Sequence, residues 1–432
     1  MGTLVLLQRI QERKASVAVV GLGYVGLPLA MAAAAAGFDV TGFDTEPHKV
    51  ESLTRGESYV LDIDAAEVRA QLAAGRFHPT TDPASLAEAD VIVICVPTPL
   101  RNELPDMTYI EEAGKMIAAV LAPGSLVILE STTYPGTTEE FLRDILESSG
   151  LTCGVDFSLG FSPERIDPGN TRFAFADVPK IIGGVDADST SLMKAFYSAF
   201  IDRVVPVSSP KTAEMAKLLE NTYRHVNIAL ANEIAILCHG LDVDVWEVIG
   251  AAATKPFGFQ AFYPGPGWGG HCIPVDPAYL SWRVRQMHQT AHFVDLAREI
   301  NDRMPAYVVE RISDCLNEEG KSLKGSKLLI LGVAYKPDVS DVRESPALAI
   351  IARLRRSGAV VSFHDPHVAS VELDDGSLDS IELDDQRLRE ADLVAVITNH
   401  SSYAWDVVAR HAPLILDTRN ALAGIDGRIV RL

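Results

Sequence analysis

One cysteine closes a glycine-rich run, Gly265-Pro266-Gly267-Trp268-Gly269-Gly270-His271-Cys272, and one aspartate, Asp276, follows it a helical turn later. Glycine lets the backbone turn tightly and come close to a ligand, so a thiol placed there is open to a substrate. A carboxylate beside it can manage protons or water. The competing reading is a structural turn around a buried, inert cysteine, because free Cys is among the most buried residue types. Lys217 and Asn221 form a second pair, four apart in a stretch of helical apolar spacing. A helix sets their ammonium and amide on one face, where both can donate to one developing oxyanion. A solvated face with Glu214 and Glu220 as partners is the alternative. Glu164 lies between Pro163 and Pro168, next to Arg165, in a Pro-, Gly- and Asp-rich stretch, 160–170, that reads as a loop. It is either a fixed carboxylate or half of a surface ion pair.

These groups need a fold to bring them a co-substrate. Ser16–Val20 is a β-branched run that leads into Gly21-Leu22-Gly23-Tyr24-Val25-Gly26 and then an alanine-rich helix, which is G-x-G-x-x-G in its strand-to-helix setting. The next strand ends at Asp44, placed to hydrogen-bond the ribose hydroxyls of a dinucleotide and to repel a 2′-phosphate, so NAD is expected rather than NADP. A plain turn acid is the other reading of Asp44. Further strands at 91–96 and 126–130 put Thr98 and Thr132 at carboxyl ends, where open α/β sheets bind ligands; both residues also suit capping and turns. For Thr137 and Thr138 capping is the better reading. Runs at 180–184 and 204–207 close the first domain.

The stretch 211–240 has no internal Gly or Pro. Its apolar residues, Met215, Leu218, Leu219, Tyr223, Val226, Ala229, Leu230 and Ile234, predict a long buried helix capped by Gly240. Such a helix has more than one face to cover, which points to a dimer interface. A second long helix at 293–316 carries Pro305 as a possible kink, and strands at 327–333, 360–364, 393–398 and 414–417 make a second parallel α/β domain without the glycine fingerprint. That domain therefore suits another ligand, such as the nucleotide end of a substrate. Lys336 and Arg343 follow its first strand at the ligand edge, Arg supplying a rigid fork for phosphate, unless both are ordinary surface charges. The fold expected is α/β, two Rossmann-like doubly wound domains joined by a long central helix. The divisions are 1–207 for the NAD-binding domain, 208–305 for the helical central domain carrying the cysteine loop, and 306–432 for the second, substrate-nucleotide-binding α/β domain.

Composition sets limits. At 432 residues and 47% hydrophobic, the chain can bury two or three cores. A net charge of −20 argues against nucleic acid. Five scattered cysteines show no zinc or disulfide pattern, so no metal and a reducing, cytoplasmic setting are expected. The short apolar start at 4–7 is too brief for a signal peptide or membrane span.

A hydride acceptor, a thiol, a lysine and several carboxylates together suit an alcohol oxidised twice, through an aldehyde trapped by cysteine and a thioester released by water. Nearly the whole chain resembles the nucleotide-sugar 6-dehydrogenases, the family of UDP-glucose and UDP-N-acetylhexosamine dehydrogenases. The resemblance is carried by Gly21-Leu22-Gly23-Tyr24-Val25-Gly26-Leu27-Pro28, Glu130-Ser131-Thr132, Phe161-Ser162-Pro163-Glu164-Arg165, Lys217-Leu218-Leu219-Glu220-Asn221, the segment 269–277, and Tyr335-Lys336-Pro337-Asp338 with Arg343-Glu344-Ser345-Pro346.

It implies Cys272 as nucleophile, Asp276 and Thr132 as holders of a catalytic water, Lys217 and Asn221 as oxyanion donors, and Glu164 as the carboxylate assisting hydrolysis. Cofactor contacts are implied for Gly21, Gly23, Tyr24, Val25, Gly26, Asp44, Lys49, Thr98, Thr132 and Arg343. Substrate contacts are implied for Glu164, Arg165, Lys217, Asn221, Tyr263, Gly269 and Lys336. A nucleotide-diphosphate sugar as substrate, and a homodimer or larger homo-oligomer, follow from the same likeness.

Pro168 stands where glucose-type members often carry a second glutamate, and Lys255 or Pro256 stands where they often carry an arginine. With Tyr263-Pro264-Gly265-Pro266-Gly267 and His271, these departures favour the N-acetylhexosamine branch. UDP-glucose and dTDP-glucose remain alternatives, since uracil and thymine differ by one methyl, worth about 1–3 kcal/mol. A simple two-electron dehydrogenase would not need Cys272, and an NAD-binding scaffold would not need Lys217, Asn221 or Asp276.

Overall fold

The computed structural model describes residues 2–60, 62–101, 104–165, 173–270 and 275–432. The chain divides into two compact units, Met1–Glu220 with Ala278–His288, and Asn221–Pro277 with Gln289–Leu432.

The first unit is built on an eight-stranded sheet. Its strands are β1 (Ser16–Val20), β2 (Asp39–Phe43), β3 (Phe77–Thr80), β4 (Val91–Ile94), β5 (Leu126–Leu129), β6 (Ser158–Phe161), β7 (Lys180–Gly184) and β8 (Val204–Pro206). They lie in the order β8-β7-β6-β5-β4-β1-β2-β3. Val17 and Val19 of β1 enter one apolar core and Ala18 and Val20 another, so both faces are covered. That is why the strands read as unbroken apolar runs rather than alternating ones. All pairings are parallel except β6 with β7, where Phe161 faces Gly183. The reversal brings the start of β7 to the carboxyl edge of the others. The expected loop at 160–170 is corrected at its beginning, because Gly160 and Phe161 finish β6; residues 166–172 lie outside the described residues. A helix Gly2–Gln11, buried through Leu6 and Ile10, precedes β1.

The second unit repeats the plan with five parallel strands, β9 (Lys327–Leu331), β10 (Val360–His364), β11 (Leu393–Val396), β12 (Ile415–Asp417) and β13 (Ile429–Arg431), in the order β10-β9-β11-β12-β13. Leu328 and Ile330 enter one core, Leu329 and Leu331 the other.

Five helices matter to the site: α1 (Gly26–Ala35), α2 (Pro210–Gly240), α3 (Asp276–Gln286), α4 (His292–Glu318) and α5 (Pro346–Arg356). Helix α2 runs through Gly240, and the left-handed residue that ends its turn is Asp242 (φ 57°), correcting the expected cap. A second correction concerns its apolar residues. Leu218 and Ala229 are buried, but Met215, Leu219, Tyr223 and Leu230 are exposed, with Leu237 beside them in the helical pattern. Periodicity identifies an apolar stripe but not which stripe its own chain covers. Among the described residues no helix is long and apolar enough to cross a membrane.

Candidate functional site

The turn from β1 into α1 explains its three glycines separately. Gly21 has φ 94°, and a Cβ there would lie 2.6 Å from the Cys95 carbonyl oxygen. A Cβ on Gly26 would meet the Gly21 carbonyl oxygen at 1.8 Å, so α1 packs against the turn only without one. A Cβ on Gly23 would meet nothing within 4 Å, so this side of the turn is open to a ligand ahead of the helix N-terminus. Asp44 is buried; one carboxylate oxygen accepts from Leu22 N–H at 2.9 Å and the other from Glu46 N–H at 2.9 Å. Lys49 stands 3.6 Å from Asp44 and 2.6 Å from Glu46. Tyr24 is exposed and Val25 half-buried beside the open space. Thr98 is buried past β4, and Thr132 is half-buried past β5. The open space at Gly23, the helix N-terminus and the held acid together fit a dinucleotide.

Past β5 and β6 lies a charged group sealed from water. Lys180, at the start of reversed β7, donates to Glu130 at 2.9 Å and to Glu164 at 3.5 Å. The Tyr197 hydroxyl donates to the other Glu130 oxygen. Burial pushes the Glu130 carboxyl up against the pull of Lys180. Burial opposes the Lys180 charge, but Glu130 and Glu164 outweigh it, so this ammonium holds its proton more tightly than usual. Glu164 also accepts from Arg165 N–H at 2.6 Å. Arg165 forks onto Glu220 at 2.7 and 3.2 Å and reaches the Pro179 carbonyl, so its guanidinium is spent on holding the loop.

Lys217 is buried and donates to the Glu164 carbonyl at 2.6 Å. The alternative of a solvated lysine with Glu214 and Glu220 therefore fails. Glu214 is itself buried and accepts from Gly136 N–H, Thr138 N–H and the Thr138 hydroxyl, while Glu220 serves Arg165.

In the second unit, Asn221 donates through its amide to Asp276, the first residue of α3. Asp276 is buried. Cys272 lies outside the described residues, as does His271. The loop leading to them is tightly set. A Cβ on Gly269 would come within 2.8 Å of Tyr335 Cβ, and one on Gly270 within 2.6 Å of the Tyr335 ring. Gly270 N–H donates to the Arg343 carbonyl at 3.1 Å. Trp268 rests on His225, ring centroids 4.5 Å apart; burial pulls that imidazole down to about 4, so it is neutral at neutral pH. Tyr263 is exposed, stacks on Trp246, and lines a cavity of about 520 Å³ with Tyr223 and Arg224.

The segment after β9 is anchored by Asp365. It accepts from Val333 N–H at 2.7 Å and Ala334 N–H at 3.0 Å, with His400 Nε2 at 3.0 Å. Burial opposes this charge, but those bonds prevail and hold the carboxyl at about 2. Lys336 packs its ammonium over the Tyr335 ring, and Arg343 forks onto Asp341. A residue the sequence reading missed stands past β12: Arg419, whose Nε donates to the Ile397 carbonyl at 2.8 Å. Burial pulls its guanidinium down to about 10. A Cβ on Gly265 would sit 2.6 Å from its Nη1, so Gly265 makes way for it. The available signal was its position just past a strand, at the ligand edge.

Sequence comparison agrees with this arrangement. Residues 15–201, 211–303 and 329–424 match the NAD binding, central and UDP binding domains of the UDP-glucose/GDP-mannose dehydrogenase family. The UDP-N-acetyl-D-mannosamine dehydrogenase of Pyrococcus horikoshii is 36% identical over 413 residues, covering 94% of this chain and 96% of that protein. The protein of the same name from Escherichia coli is 35% identical over 404 residues, covering 90% and 94%. The solved structure of the Pyrococcus horikoshii enzyme superposes with a TM-score of 0.87 at 34% identity, covering 96% of this chain and 99% of that one.

Proposed function

This chain belongs to the UDP-glucose/GDP-mannose dehydrogenase family of NAD-dependent nucleotide-sugar dehydrogenases, and we propose from that premise that it oxidises the C6 alcohol of UDP-N-acetyl-D-mannosamine to the carboxylate. The observation that carries the choice of sugar is the identity of 36% across 94% of the chain to a dehydrogenase of that name. NAD, when bound, supplies the hydride acceptor for both oxidations. Asp44 accepts from the ribose hydroxyls, and the N-terminus of α1 takes the pyrophosphate. Arg343 adds a cofactor contact. Lys336 and Arg419 take the substrate's nucleotide diphosphate; Tyr263 and Gly269 contact the sugar.

The Cys272 thiolate adds to the C6 aldehyde, and Lys217 and Asn221 donate to the oxygen as it gains charge. Loss of the second hydride leaves a thioester. Water held by Asp276 and Thr132 attacks its carbonyl, Glu164 takes the proton, and the C–S bond breaks with its electron pair returning to sulfur. Divisions at 1–207, 208–305 and 306–432 belong to the same reading.

The test is NADH released per sugar consumed, across UDP-N-acetylmannosamine, UDP-N-acetylglucosamine, UDP-glucose and dTDP-glucose. We expect two NADH per UDP-N-acetylmannosamine, at a kcat/KM at least about tenfold above the others. One NADH per sugar overturns the four-electron reaction. A preference for UDP-glucose moves the substrate to the alternative.

The stripe of Met215, Leu219, Tyr223, Leu230 and Leu237 is the surface we assign to a homodimer. Leu219 is 60% exposed and Leu230 52%, and burying such residues gains about 25 cal/mol per Å². Leu219→Glu with Leu230→Glu should halve the mass seen by light scattering. An unchanged mass removes this role.

A further inference from the structure

Glu130, Lys180 and Tyr197 form a buried chain that none of the steps above uses. Its outer end is Glu164. Lys180 and Glu130 are both under 6% exposed in their side chains, where an unpaired charge is costly. Such a buried pair is weak evidence for a role in stability, since apolar side chains of similar size often serve a buried position as well. Position gives the pair its use. Antiparallel β7 turns Lys180 back to the edge where β5 delivers Glu130 and β6 delivers Glu164.

We propose that Lys180 is a positioning residue for product release: its ammonium, steadied by Glu130, orients the Glu164 carboxylate to take the proton of the attacking water. This rests on the hydrolytic role proposed for Glu164. Among the described residues, the charged and titratable groups around that carboxylate include Lys180 on β7, Glu130 past β5, Cys95 past β4, Tyr197 on the helix Ala187–Tyr197, Lys217 on α2, and Arg165 with its partner Glu220. Burial pushes Cys95 and Tyr197 well up, so both stay neutral. Among these groups Lys180 is the cation whose ammonium bonds the Glu164 side chain, whereas the Lys217 ammonium bonds its backbone carbonyl.

The experiment compares Lys180→Met, Lys180→Arg, Glu130→Gln and Glu164→Gln in steady-state kcat, in the pre-steady-state NADH burst, and in the mass of the enzyme during turnover. In Lys180→Met the burst should keep two NADH per site at a rate within about threefold of the parent, while kcat falls by about ten- to a hundredfold, as loss of catalytic positioning commonly causes, and a covalent sugar adduct accumulates on the protein. Lys180→Arg should recover kcat and clear the adduct. Glu130→Gln leaves the Lys180 ammonium unsteadied and should show the same split, which also serves as the test should Lys180→Met not fold. Parental kcat without adduct in Lys180→Met, or burst and turnover falling together, makes Lys180 merely structural and overturns the proposal. Glu164→Gln releasing acid at the parental rate overturns the role of Glu164 and this proposal with it. Slow release in Glu164→Gln with parental release in Lys180→Met overturns this proposal alone.

Discussion

Cys272→Ser is expected to abolish net acid formation, with kcat falling by about 10⁴-fold or more, as removal of a covalent nucleophile commonly does. A thiol ionises near pH 8.5 and a few per cent of it is thiolate at neutrality; a serine hydroxyl offers no comparable fraction. No other thiol is placed to substitute. Cys95, Cys238 and Cys315 are buried, Cys153 is half-buried, and burial pushes Cys95, Cys153 and Cys315 above the usual thiol range. The approach to the loop should survive the change, because Gly269 and Gly270 pack against Tyr335 and Gly270 N–H bonds the Arg343 carbonyl. The measurement is NADH and acid produced per sugar, with cofactor affinity as a control for folding. Normal turnover in the variant would falsify the covalent route and leave a hydrated aldehyde as the substrate of the second oxidation.

What the sequence disclosed and what it hid follow from the range of the interactions concerned. The strand, glycine turn, helix and acid from Ser16 to Asp44 are one local unit, and the structure keeps every part of it. The parallel sheets were legible because strands covered on both faces are apolar throughout. Lys180 was not legible: the strand was evident, but its antiparallel direction depends on pairing with β6, and a reversed strand has the same composition as a forward one. Arg419 was hidden in the same way, since its partners at Ile397 and Gly265 are remote in sequence. The misjudged residues of α2 have another cause. Leu218 and Leu219 are adjacent and equally apolar, yet one is fully buried and the other is 60% exposed. Only the packed chain decides which face is covered.

Lys217→Met is expected to lower kcat by about 10³-fold, because losing one preorganised oxyanion donor costs about 10²–10³-fold and here the donor also carries charge. The side chains are similar in length, so the site keeps its volume. The structural loss is one hydrogen bond to the Glu164 carbonyl, from a donor at 2.6 Å. An unsatisfied buried carbonyl costs about 1–3 kcal/mol, which a chain of this size can bear without unfolding. Stability and catalysis are therefore separable: NAD affinity should change less than about threefold, while both hydride-transfer rates in single turnover fall. Lys217→Arg should not rescue, since the planar fork cannot occupy the position of a compact ammonium already 2.6 Å from a backbone oxygen. The contrast with Lys180 makes the prediction sharp. Removing Lys180 should slow release with both oxidations intact, whereas removing Lys217 should slow the oxidations themselves. A Lys217→Met enzyme within about tenfold of the parental kcat would show that the helix face presents this lysine for structure alone.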